Sequence, residues 1–111
     1  MIDDERHPDA HHGDNHSTAC IYDIKAAIPD KPGKPAGEWN TSKFILKDGK
    51  IQHFLNGVLV VEADSNSPEW KELIGKSKFK NVKGFAPGNG HFLLQDHGSE
   101  VWFKNIRVTP L

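Results

Sequence analysis

The sequence predicts an all-β chain with one short helix. Two dipeptides, Asp48-Gly49 and Asn56-Gly57, each separate runs that are rich in β-branched and large apolar residues. Asp-Gly and Asn-Gly tolerate the two positive φ angles that a type I′ hairpin turn requires. The three runs therefore predict an antiparallel meander over residues 39–62. A further hairpin is predicted over residues 91–108, where two more apolar runs flank Gly98.

Other elements are predicted on either side of these turns. Residues 18–24 have the composition of a short strand, and the first strand of the meander is predicted over residues 38–47. Ser67 is a suitable helix N-cap, Pro68 fits the first helical position, and Gly75 fits the C′ position. These signals predict one short helix after the meander, and its expected role is packing.

The turn at Asn56-Gly57 predicts a definite strand register, in which His53 pairs with Val60 and Ile51 pairs with Glu62. Because side chains alternate between the two faces of a strand, His53 and Glu62 would be diagonal neighbours on one face. Such a pair is either a solvated surface pair or the floor of a site.

Composition and charge exclude several classes of function. The 111 residues carry a net charge of −1 without a block of Lys and Arg, so neither nucleic acid nor an anionic membrane is an expected partner. No apolar run approaches the ~18 residues that a membrane span requires. Cys20 is the only cysteine, which excludes an internal disulfide and favours a small buried residue there.

The N-terminal segment, residues 1–17, is polar and contains four histidines and four aspartates. These side chains are possible metal ligands, but their spacing matches no fixed metal motif. A solvated loop without a complete metal site of its own is therefore predicted. No cofactor is expected, and a divalent metal stays open. As written, the acidic N-terminus carries no export signal.

Six short motifs follow one another along nearly the whole chain. They are Asp4-x-x-His7-Pro8-Asp9, Ile21-Tyr22-Asp23, Pro35-Ala-Gly-Glu-Trp39-Asn40, Ile51-Gln-His53-Phe-Leu-Asn56-Gly57-x-x-Val60-x-Glu62, Ser67-Pro-Glu-Trp70-Lys71-Glu72 and Leu94-Gln95-Asp96-His97-Gly98-x-x-Val101-Trp-Phe103-Lys104-Asn105-Ile106. In this order they resemble the C-terminal part of the 3-keto-disaccharide hydrolase domain family.

The resemblance implies a concanavalin A-like jelly-roll β-sandwich of two antiparallel sheets, which agrees with the predicted hairpins. Family domains are substantially longer, so residues 1–111 are interpreted as a partial, C-terminal portion of one domain. Lys104 stands where the family commonly has Arg, which keeps the charge but loses bidentate geometry. The family also suggests a periplasmic or secreted location.

The implied activity is cleavage of glycosides that already carry a ketone at C3 of the sugar. Such a ketone acidifies the proton at C2, so a base can remove it while an acid protonates the departing glycosidic oxygen. The catalytic candidates are His97, Asp96, His53 and Glu62. The candidates for substrate binding are Gln95, Lys104, Asp4, His7 and Trp39, and no residue is assigned as a metal ligand.

Two other functions stay open. A non-catalytic carbohydrate-binding module of the same fold would use exposed tryptophans to stack on sugar rings. An inactive fragment is the second alternative, because a partial sandwich leaves sheet edges unpaired and apolar side chains wet. The side chains expected to be partly wet are Leu55, Val58, Val60, Phe92, Leu94, Val101 and Phe103. We therefore expect the isolated chain to self-associate or unfold in part, without detectable catalysis.

Overall fold

The structure, a computed structural model, describes residues 5–111. Its regular elements are two 3₁₀ helices (Pro8–His12 and Asp14–His16), strands β1 (Ser42–Lys47), β2 (Lys50–Leu55) and β3 (Val58–Asp64), and helix α1 (Pro68–Lys76). The strands form one antiparallel sheet in the order β1-β2-β3. The predicted meander with one helix is thus confirmed, although β1 begins at Ser42 rather than at residue 38.

Both hairpin turns have the backbone that their dipeptides predict. Asp48 and Gly49 have φ angles of 51° and 82°, and Asn56 and Gly57 have φ angles of 48° and 86°. Two consecutive positive φ angles are the mark of the type I′ turn, whose twist matches that of the flanking strands. Local turn chemistry therefore accounts for the order and direction of the three strands.

The predicted pairing of His53 with Val60 is wrong. A bulge between β2 and β3 shifts the register, so that His53 lies opposite Val61. Val60 is 1 % exposed and Val61 is 5 % exposed, so both consecutive valines are buried. A bulge achieves this because it sets two residues of one strand against one residue of its partner. Burial of two adjacent apolar side chains is the physical reason for the shift.

Helix α1 begins as predicted and ends later. The Ser67 hydroxyl accepts a hydrogen bond from the backbone N–H of Trp70 at 3.1 Å, which is the N-cap interaction. Trp70 is buried, which agrees with the predicted packing role. Gly75 lies inside the helix instead of following it, and the extended residue Ser77 is the C-cap. Neither α1 nor any other helix of the described residues is long and apolar enough to cross a membrane.

Two predicted strand regions do not form within residues 5–111. Residues 18–24 form turns, with a single bridge between Ile21 and Lys25. Residues 91–108 form no strand and have no place in the one sheet of the described chain. An isolated two-stranded hairpin is only marginally stable in water, so these runs need neighbouring strands that the sheet does not supply.

The core is small and combines residues of the meander with Ile24 from the preceding turns and Trp70 from α1. Its buried apolar side chains are Ile24, Leu55, Val60, Val61 and Trp70. Leu55 and Val60 are therefore dry, contrary to expectation. The other five residues expected to be partly wet are exposed: Val58, Phe92, Leu94, Val101 and Phe103. Every residue of the C-terminal segment, residues 91–111, is exposed.

Candidate functional site

His53 is held inside the sheet by both of its ring nitrogens. Nδ1 lies 3.1 Å from the backbone oxygen of Ala19, and Nε2 lies 2.8 Å from the Ser42 hydroxyl oxygen. A carbonyl can only accept, so Nδ1 carries the proton and donates, and the hydroxyl donates to Nε2. The Phe44 ring stacks on the imidazole at a centroid distance of 4.0 Å. The neutral ring is thereby fully satisfied.

Burial also affects the charge of His53. Loss of hydration lowers the pKa of this imidazole below its ordinary value of 6.5, and the hydrogen bond to Ala19 opposes the shift in part. His53 is 6 % exposed. An imidazole with both nitrogens engaged and little access to solvent is a structural group of the sheet.

The predicted same-face pair of His53 and Glu62 is wrong. Gln52 and Glu62 lie directly opposite each other, and the Gln52 amide donates to the Glu62 carboxylate at 3.3 Å. Direct partners share a face, and His53 as the neighbour of Gln52 points to the other face. Glu62 is exposed. The bulge at Val60 thus separates two side chains that strict alternation would have joined.

A second cluster joins the two ends of the described chain. The ring of His7 and the ring of His97 lie edge to face with centroids 5.1 Å apart, and Nε2 of His97 lies 3.5 Å from a carboxylate oxygen of Asp9. One ligand atom from each of these three side chains can be chosen so that all lie within 4.8 Å of one another. We call these three residues the His-Asp-His cluster.

Local chemistry positions the N-terminal half of this cluster. Pro8 occupies the start of the first 3₁₀ helix, and His7 is its N-cap residue. Nδ1 of His7 accepts a hydrogen bond from the backbone N–H of Asp9 at 3.2 Å. This interaction holds the His7 ring and the Asp9 backbone close together. The motif His7-Pro8-Asp9 therefore presents an imidazole and a carboxylate side by side.

The cluster opens onto a hollow at the surface. Arg6, Pro8 and Ser99 line this hollow together with the cluster itself. His7 and Asp9 are half-buried, whereas the His97 side chain is 54 % exposed. A small ligand can therefore reach two imidazoles and a carboxylate at one place.

Among the described residues, the other predicted site residues do not line this hollow. Asp96 accepts a hydrogen bond from the backbone N–H of Gly98 at 2.9 Å, which is ordinary turn chemistry. Gln95 is exposed. The Lys104 ammonium lies over the Trp39 ring, 4.1 Å from its centroid, and 51 % of Trp39 is exposed. Asp4 lies outside the described residues.

The sequence indicated Asp9 only as one of several possible metal ligands in the N-terminal segment, and it indicated no role for Ser42. Asp9 was one of several acidic residues in a polar segment, and the available signal was its place two residues after His7 in a quoted motif. The contact with His97 could not be foreseen, because it joins residues that are far apart in the chain. Ser42 had no signal, since its role depends on the register of β1 against β2.

Comparisons with known proteins match almost the whole chain. The family model of the 3-keto-alpha-glucoside-1,2-lyase-like domain matches residues 1–109. The 3-keto-disaccharide hydrolase of Bacteroides thetaiotaomicron is 36 % identical over an alignment of 124 positions. The alignment covers 100 % of this chain and 42 % of that protein. The crystal structure of a putative glycosyl hydrolase from Parabacteroides distasonis is similar with a TM-score of 0.57 and 32 % identity, over 61 % of this chain and 30 % of that one.

The antiparallel sheet, its helix and these similarities define a domain of a carbohydrate hydrolase family. The chain belongs to the 3-keto-alpha-glucoside-1,2-lyase-like domain family. It spans less than half the length of the curated relative that it matches.

Proposed function

We propose that this chain carries part of the site at which 3-keto-glycosides are bound and cleaved, and that this site is the hollow of the His-Asp-His cluster. Family membership supports the substrate class. The observation that carries the location is the approach of His97 to Asp9 and His7, which come from opposite ends of the chain. For the complete domain, we propose the fold of a concanavalin A-like sandwich.

The chemistry of the substrate determines which groups are needed. The C3 ketone makes the C2 proton removable, and a base takes this proton so that the C2–H electron pair forms an enolate. Collapse of the enolate restores the C3 ketone and forms a C1=C2 double bond, while the C1–O bond breaks and the glycosidic oxygen leaves with a proton from an acid. Water then adds across the C1=C2 bond. Both proton transfers suit imidazole and carboxylate groups. His97 and Asp9 are the groups that we assign to these proton transfers. Asp96, the residue before His97 in the sequence, is a further candidate for the base.

Binding of the sugar is assigned to the groups around them. His7, Arg6 and Ser99 line the hollow and supply polar contacts, and Gln95, two residues before His97 in the sequence, supplies an exposed amide for a hydroxyl. His53 and Glu62 are left out of the proposal, because the sheet separates them.

The first half of the reaction provides the test for this chain. Removal of the C2 proton needs a base and an oriented ketone but not the complete leaving-group chemistry. Exchange of the C2 proton of a 3-keto-disaccharide with D₂O, followed by NMR, should therefore be faster with the 111-residue chain than in buffer, although cleavage of the glycoside by the isolated chain is still expected to be undetectable. His97→Gln or Asp9→Asn should lower the accelerated rate by about 100-fold, the lower range for loss of a general acid or base.

Matched variants make this test specific. His91→Gln changes another exposed histidine of the C-terminal segment, and Asp14→Asn changes another carboxylate of the N-terminal segment, so both should retain the full rate. Unchanged exchange in His97→Gln and Asp9→Asn would refute the assigned site. Circular dichroism of each variant checks that the meander is intact.

A non-catalytic carbohydrate-binding module is the second candidate, and the exposed pair of Trp39 and Lys104 favours it. The indole face could stack on a sugar ring, as aromatic side chains do in sugar recognition. This candidate predicts saturable binding of the 3-keto-disaccharide without any exchange at C2. It also predicts that Trp39→Ala abolishes binding while His97→Gln leaves it unchanged.

A further inference from the structure

We propose that the His-Asp-His cluster binds a divalent transition-metal ion, with His7, Asp9 and His97 as the three protein ligands. Two imidazoles and one carboxylate are a donor set that Zn²⁺ and related ions prefer. The ligand atoms of the three side chains already lie within 4.8 Å of one another. No other group of three His, Cys, Asp or Glu residues with this property occurs among residues 5–111.

The separation between His97 and Asp9 supports a shared cation. Nε2 of His97 and the Asp9 oxygen are 3.5 Å apart, longer than a good N–H···O hydrogen bond of 2.7–3.2 Å. Ligands at about 2.0–2.1 Å from a tetrahedral Zn²⁺ lie roughly 3.3–3.4 Å from each other. The observed distance is therefore closer to an edge of a coordination tetrahedron than to a direct hydrogen bond.

Two features of the hollow weaken the expected binding of the ion. Nδ1 of His7 accepts from the Asp9 N–H, and this bond is lost if the metal takes Nδ1 or if the ring proton moves there. Arg6 lines the same hollow, and an arginine side chain carries a positive charge, which disfavours a cation nearby. We therefore expect reversible binding that a chelator removes, rather than a permanently bound structural metal.

Three protein ligands leave at least one coordination position open. Sites of this kind take water or a substrate oxygen in the open position, whereas structural sites are closed by four protein ligands. In the proposed reaction, the open position would accept the C3 ketone oxygen and stabilise the negative charge that develops on it. Proton removal would then belong to Asp96, which is outside the cluster. This assignment of the open position rests on the proposed function, whereas the binding of the ion does not.

The test is calorimetric titration of the untagged 111-residue chain with ZnCl₂. One site per chain is expected, with affinity lowered at least about 10-fold in His97→Gln and in Asp9→Asn. His91→Gln and His11→Gln should bind as the unaltered chain does, because both histidines are exposed and outside the cluster. Absence of saturable binding, or equal binding by the cluster variants and the controls, would overturn the proposal.

A second readout does not depend on variants. The ring C–H signals of His7 and His97 should move in proton NMR as Zn²⁺ is added, and the signal of His91 should not. If instead the ring signals of His11 and His12 move while His97 is unaffected, the proposed ligand set is wrong.

The C2 exchange assay separates this inference from the proposed function. Exchange that disappears with EDTA and returns with added Zn²⁺ supports the metal site. Exchange that continues unchanged in EDTA overturns the metal site and leaves the proposed function intact. Zinc binding at the cluster without any exchange supports the metal site and counts against the proposed function.

Discussion

Two regions of this molecule each contain a histidine that the sequence predicts to be catalytic. The two histidines differ in their exposure to solvent and in the hydrogen bonding of their ring nitrogens. In the sheet, His53 is 6 % exposed and both ring nitrogens are used by Ser42 and Ala19. In the hollow, the His97 side chain is 54 % exposed and its Nε2 lies 3.5 Å from the Asp9 carboxylate. The difference shows that hydrogen-bond saturation, and not residue type, separates a structural histidine from an available one.

The largest expected effect concerns the stability of the sheet. His53→Ala leaves a cavity and removes two hydrogen bonds, so the free energy of unfolding should fall by about 2–4 kcal/mol. His97→Ala, at an exposed position, should change it by no more than about 0.5 kcal/mol. Urea unfolding followed by tryptophan fluorescence measures both. Equal losses in the two variants would mean that His53 is not the structural member of the pair.

The next effect compares two asparagines with left-handed backbone. Asn56 (φ 48°) accepts from the Thr41 N–H and donates to the Pro32 carbonyl oxygen and to the Asn40 side chain. Asn105 (φ 55°) lies exposed in the C-terminal segment. Asn56→Ala should cost about 2–3 kcal/mol, because it loses these hydrogen bonds in addition to the backbone preference.

Asn105→Ala is the matched control for that experiment. It should cost about 1 kcal/mol or less, which is the backbone preference alone. Comparable losses at both positions in urea unfolding would contradict the view that the meander is the stable region and the C-terminal segment is not.

The smallest effect is a dependence of stability on pH. The folded-state pKa of His53 is lowered by burial, so the unfolded chain takes up a proton first as the pH falls below 6.5. The contribution of neutral His53 to the free energy of unfolding is complete above pH 6.5. This contribution is lost as the pH falls through the lowered pKa of the folded state. His53→Gln should lack this component. Parallel stability curves for the two proteins between pH 5 and pH 8 would show that the pKa of His53 is not lowered.

The sequence predicts the meander because its determinants are local. Asp48-Gly49 and Asn56-Gly57 specify turns whose geometry needs no distant contact, and Ser67 caps α1 in the same way. The register near Val60 could not be read from alternation, since the bulge depends on burying two adjacent valines. Alternation alone therefore led to the wrong face for His53 relative to Glu62.

The prediction of a C-terminal hairpin was wrong for a different physical reason. Its apolar runs, such as Phe92-Leu93-Leu94 and Val101-Trp102-Phe103, have the composition of strands but no paired neighbour among the described residues. Strand formation is a property of a sheet and its partners, so composition cannot establish it. Self-association through unpaired sheet edges stays a prediction. The candidate site was predicted in part: His7 and His97 were named, and Asp9 required the fold to bring the chain ends together.

The central claim is that sugar binds at the hollow of His97 and not at the sheet of His53. The most direct measurement is proton NMR of the seven assigned histidine rings during titration with a 3-keto-disaccharide. We expect saturable shifts of the His7 and His97 ring signals, while the signals of His53 and His91 stay in place. Shifts of His53 with His7 and His97 unchanged would contradict it.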